Sequence, residues 1–205
     1  MKRFLIVFLV LVVVVLAVLK LFIYELPRVA GNDMAPALQP GDLLLANRLD
    51  TSPARGDLIL LEHPSVPNRL LIRRVVGLPG ESVAVHSEVP TINGKPARRS
   101  VLKDVTLIDG GEERAMKLIK EAAPDGRSWQ VLKDPGRRSR DSKTIRLGSE
   151  QVYVMADNRN HGTDSRTFGP VPADKIRALI THRVSAGPGS IKGQPEREGW
   201  HRLRK

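Results

Sequence analysis

Histidines, hydroxyls, acids and lysines are the groups here that could move protons or attack a carbonyl, because cysteine is absent from the 205 residues. That absence removes thiolate chemistry, thiolate metal ligation and disulfides together. His63, His86 and His182 are too scattered for the spacing of a metal site, so no metal and no cofactor are expected. The crowded stretch runs Asp157-Asn158-Arg159-Asn160-His161-Gly162-Thr163-Asp164-Ser165-Arg166. His161 and Ser165 invite a Ser–His reading, but a histidine among polar loop residues is more often merely solvated. Asp164 and Arg166 read as a structural ion pair.

These residues sit among short apolar runs at 43–46, 58–61, 70–76, 83–85, 144–147 and 152–155. Each is strand-length and bounded by turn signals such as Pro40-Gly41-Asp42, Arg55-Gly56-Asp57 and Pro79-Gly80-Glu81. With 41% hydrophobic but only 4% aromatic residues, the core must be aliphatic, so a mainly β fold is expected. Asn93-Gly94 predicts a hairpin turn. Residues 97–140 are polar and basic and read as an insert or small subdomain, with a short helix predicted at Glu112–Ala122. The tail at 185–205 has no apolar periodicity and reads as disordered.

Residues 4–19 are continuously apolar, and after Lys20 the run resumes through Tyr24. A 21-residue helix is about 31 Å long, enough to cross a bilayer. The span predicts one uncleaved transmembrane anchor over residues 1–25, since a cleaved signal has a shorter apolar region and a small-x-small site. Lys2 and Arg3 place the N-terminus in the cytoplasm, leaving a domain at 26–184 on the outer face of the plasma (inner) membrane. The net charge of +11 comes with no nucleic-acid motif, so an anionic lipid bilayer is the expected partner and nucleic acid is not.

Four segments in order resemble the boxes of bacterial type I signal peptidases. They are Gly31-Asn32-Asp33-Met34-Ala35-Pro36-Ala37-Leu38 with Gly41-Asp42, then Arg55-Gly56-Asp57-Leu58-Ile59, then Leu71-Ile72-Arg73-Arg74-Val75-Val76-Gly77-Leu78-Pro79-Gly80-Glu81, and last the stretch from Asp157 to Gly169. The resemblance implies a membrane-surface domain of coiled antiparallel β-sheets that removes signal peptides with a serine nucleophile and a lysine base. Where the family has that serine, before its methionine, this chain has Asp33 before Met34. Where it has the lysine, this chain has Arg73, beside Arg74. A guanidinium stays protonated in any protein setting and cannot serve as general base.

The resemblance also puts Gly31 at the oxyanion-donor position and Gly162 at the lysine-orienting position. It assigns supporting roles to Met34, Arg74, Asp157, Asp164, Ser165 and Arg166. An Asp33–Arg73 ion pair is expected where serine and lysine would stand, within about 4 Å. The expected function is therefore that of a non-catalytic homologue in signal peptide processing and protein export. It would bind signal peptides or exported precursors, or assist an active signal peptidase paralogue. The alternatives are an active peptidase with an atypical site, including an aspartic-type pair of Asp33 and Asp164, and a structural envelope protein whose groove Arg73 fills.

Overall fold

The computed structural model describes residues 2–138, 140–192 and 200–203, with only the backbone of residues 16, 17 and 19–21. Helix α1 (Lys2–Ile23) leads into strands β1 (Tyr24–Glu25), β2 (Leu43–Asn47), β3 (Leu58–Glu62), β4 (Leu70–Gly77), β5 (Ser82–His86), β6 (Val89–Ile92) and β7 (Lys95–Pro96). There follow β8 (Arg98–Asp109), β9 (Glu112–Ala122), β10 (Ser128–Lys133), β11 (Ser142–Arg146) and β12 (Gln151–Met155). The chain continues through α2 (Ser165–Phe168), β13 (Val171–Pro172), β14 (Ile176–Ser185), β15 (Ile191–Lys192) and β16 (His201–Arg202). The fold is mainly β, as the run spacing predicts. Among the described residues, no helix is long and apolar enough to cross a membrane.

The main sheet is ordered β1-β2-β14-β3-β4-β12-β13, with β16 on β14. A second sheet is β10-β9-β8-β15 and a third is β11-β5-β6-β7. Among the described residues the paired strands run antiparallel, and one isolated parallel bridge joins Leu132 to Asn158. The predicted hairpin turn joins β6 to β7, with Asn93 and Gly94 both at positive φ.

The helix predicted at Glu112–Ala122 is instead β9, paired along its whole length with β8 across a Gly110–Gly111 turn whose residues both have positive φ. Glu, Lys, Met and Leu favour a helix in isolation, but alternate residues Met116 and Leu118 are buried, and the apolar face they make decides in favour of a strand. The tail is likewise not without structure over its described part. β15 adds to β8 at Leu107 and Thr106, and β16 adds to β14 at His182 and Arg183.

The second sheet packs on the loop before β2. Ala35 lies in one buried cluster with Val105, Leu107, Met116, Leu118, Leu132 and Ile191, while Met34 and Leu38 join Leu44, Leu58, Leu60 and Ala178 of the main sheet. Glu121 ties this sheet to the loop after β12, accepting from Arg159 Nη1 at 2.8 Å, from Arg99 Nε at 2.9 Å and from Trp129 Nε1 at 3.1 Å. Burial works to raise the Glu121 carboxyl, but the Arg159 and Arg99 guanidiniums outweigh it and hold it below the usual carboxylate range. A depressed acid stabilises the fold fully above its unfolded pKa, and that stability is lost as pH falls through the folded value. Glu121→Gln is therefore expected to cost about 3–5 kcal/mol at pH 7, where it strands two arginines. In urea unfolding, its deficit against wild type should shrink as pH drops below the ordinary glutamate range; a deficit unchanged by acid would contradict this.

Candidate functional site

The site lies where the turn at residues 31–37 meets β4 and the loop after β12. The turn is anchored on both sides. Asp42, fully buried, accepts from Gln39 N at 3.0 Å and Gly187 N at 2.9 Å, and Asn158 N donates to Asp33 O at 3.0 Å. β4 delivers Arg73 from a strand gripped by β3 on one side and β12 on the other.

Arg73 Nη2 donates to Asp33 Oδ2 at 2.6 Å. Its Nε donates to Thr163 O at 2.7 Å and its Nη1 to Ile72 O at 2.6 Å. The Arg73 side chain is 2% exposed and that of Asp33 is 41% exposed, so the cation is enclosed while the carboxylate looks outward. All three arms of the guanidinium are engaged, which fixes its plane.

Gly162 presses against this pair. A Cβ there would lie 3.6 Å from both Arg73 Nη2 and Asp33 Cβ, and only 2.4 Å from Ala156 Cβ. Position 162 is thus closed to any side chain while Ala156 keeps its methyl. Gly31 differs, with nothing within 4 Å of the point where a methyl would stand. Ala156 is held by its N–H to Asp164 Oδ2 at 2.9 Å. The sequence alone does not mark Ala156, because only the facing loop makes its methyl matter.

The other predicted residues build the frame. Arg74 grips Asp157 with Nε at 2.7 Å and Nη2 at 2.5 Å, and its Nη1 reaches Gly56 O at 2.7 Å. Arg166 grips Asp164 through Nε at 2.8 Å and Nη2 at 2.6 Å. Met34 is core. Ser165 Oγ is taken by Val154 N–H at 2.9 Å, and His161 Nε2 lies 3.5 Å from Asp134, so the Ser–His pair does not form. Asp164, offered as the partner of Asp33 in an aspartic pair, is instead engaged by Arg166 and two backbone N–H groups.

A cleft of about 430 Å³ opens beside the pair, between residues 27–34 and residues 70–73. His63 N–H bonds to Arg69 O and Val75 N–H to Asp57 O, so odd-numbered residues 69–75 aim their backbone groups at β3. By strand alternation Leu70, Ile72 and Arg74 aim theirs at the other edge. Arg74 is met there by Met155, leaving Leu70 and Ile72 toward the cleft. Across it, Val29 is bonded to Asp42 and Gly41, which turns the groups of Arg28 and Ala30 inward. Two strand edges therefore face one another.

The family model described as "Signal peptidase, peptidase S26" matches residues 1–184. This chain belongs to the signal peptidase I family. It is 30% identical over 173 residues to "Signal peptidase I" of Bacillus caldolyticus, covering 83% of this chain and 85% of that one. It is 28% identical over 157 residues to "Signal peptidase I V" of Bacillus subtilis, covering 75% and 82%. A crystal structure of a signal peptidase I from Enterococcus faecalis aligns with 63% of this chain and 97% of its own, at 20% identity and a TM-score of 0.39.

The 2.4 Å approach sets a test of the site's packing. Gly162→Ser alone should destabilise by about 1–3 kcal/mol through overpacking. Adding Ala156→Gly should recover most of that, read as a non-additive double-mutant cycle. Simple additivity would show that the two positions do not share space.

Proposed function

We propose that this signal peptidase family member is anchored in the membrane by α1 and receives an extended peptide, an export signal or exported precursor, in the cleft without cutting it by serine–lysine chemistry. The 2.6 Å contact between Arg73 and Asp33 carries the reading. By family resemblance these are the base and nucleophile positions. A permanently charged guanidinium takes no proton, and the carboxylate it holds makes a poor attacking group. The missing side chains at Gly31 and Gly162 remove the oxyanion donor and the lysine orienter that the family pattern carries. Loss of one oxyanion donor alone typically costs about 10² to 10³ in rate.

The open cleft favours a retained binding role over a purely structural one. Arg73 folds against Thr163 and Asp33 at one end of the cleft, and about 430 Å³ remains between the two edges. Strand addition needs only backbone edges and side-chain pockets. Membrane anchoring is supported by the continuous apolar run at 4–19 and by exposed Phe4, Leu5 and Phe8 on α1; the domain on the outer face and help to an active paralogue are part of the same proposal.

The full chain, reconstituted in lipid vesicles and mixed with an exported precursor beside an active signal peptidase, tests it. The chain should float with the vesicles and show no cleavage above background. Cleavage that disappears in Asp33→Ala would contradict the non-catalytic reading, and recovery in the soluble fraction would contradict the anchor.

A further inference from the structure

The β4 edge of the cleft offers Leu70 N–H and C=O, then Ile72 N–H, and then an acceptor that is already occupied. Ile72 O receives Arg73 Nη1 at 2.6 Å. A carbonyl has two lone pairs and can accept twice, but here the first donor is a cation. A peptide N–H arriving at that oxygen brings the positive end of its dipole against a guanidinium that cannot withdraw, since Thr163 O and Asp33 Oδ2 hold its other arms. We propose that Arg73 is a specificity-determining residue of the cleft, capping the strand edge at Ile72 and ending there the ladder a bound peptide can form.

The consequence is a specific ligand preference, and it rests on the reading of the cleft as a peptide groove. The peptide residue facing Ile72 C=O gains nothing from its N–H, so an N-substituted residue such as proline is tolerated there. Two residues away, facing Leu70 C=O, the N–H is needed. A lysine at position 73 carries its three donors on one nitrogen and cannot span acceptors spaced to meet Nε, Nη1 and Nη2, so the cap belongs to the arginine.

The test is an N-methyl scan of an acetylated, amidated peptide covering the cleavage region of an exported precursor, with binding to the full-length protein in detergent read by fluorescence anisotropy. For wild type, N-methylation at the position facing Leu70 should weaken binding about tenfold, the worth of one hydrogen bond. The position two residues away should change less than about twofold. In Arg73→Lys, and independently in Arg73→Met, that second position should become sensitive. Equal sensitivity of both positions in wild type would overturn the cap while leaving the groove intact. Unmodified peptide that does not bind, or binds with no position sensitive, would overturn the groove reading and the cap together.

Discussion

A buried guanidinium must find acceptors for its donors, and that requirement organises the region around Arg73. Its three engaged arms reach three separate pieces of chain: the turn carrying Asp33, the loop at Thr163 and its own strand at Ile72. Each partner is brought there by other contacts, so the pair is a junction and not a surface ornament. Removing one partner from a buried pair typically costs about 3–5 kcal/mol because a charge is left uncompensated. Here the half-exposed Asp33 can rehydrate, so the larger electrostatic penalty falls on the enclosed Arg73 when its carboxylate is removed.

The same device recurs around the site. Arg74 on Asp157, Arg166 on Asp164, and Arg159 on Glu121 each fix part of the loop after β12 to a strand or to α2. These bidentate grips hold the loop flat enough for Gly162 to lie against the Arg73–Asp33 pair, with Ala156 filling the space behind it. The geometry of the ion pair and the packing of the loop are coupled in this way. A side chain at 162 needs room taken from 156, so Gly162 and Ala156 form one packed arrangement with the Arg73–Asp33 pair.

Much of this was legible in the sequence. The apolar runs at 43–46, 58–61 and 70–76 mark strands because their length and turn-bounded ends leave little else, and Asn93-Gly94 fixes its hairpin by chemistry local to two residues. Asp33 and Arg73 could be placed together because Met34 and Arg74 hold the register of their boxes. What the sequence hid was non-local. Glu112–Ala122 has helix-forming side chains, and only pairing with β8 and β10 makes it a strand. The tail strands β15 and β16 are two residues each and borrow their structure wholly from β8 and β14. Ala156 and the carbonyl of Ile72 carry no sequence signal, since a methyl and a backbone oxygen gain meaning only from what approaches them.

Asp33 and Arg73 form an energetic pair at the head of the cleft. A double-mutant cycle with Asp33→Asn and Arg73→Met, measured by denaturant unfolding, tests it most directly. A charge-assisted hydrogen bond with one partner enclosed predicts a coupling energy of about 1–3 kcal/mol. Coupling indistinguishable from zero would mean that the two side chains do not depend on one another, and the account of a site closed by their contact would fail.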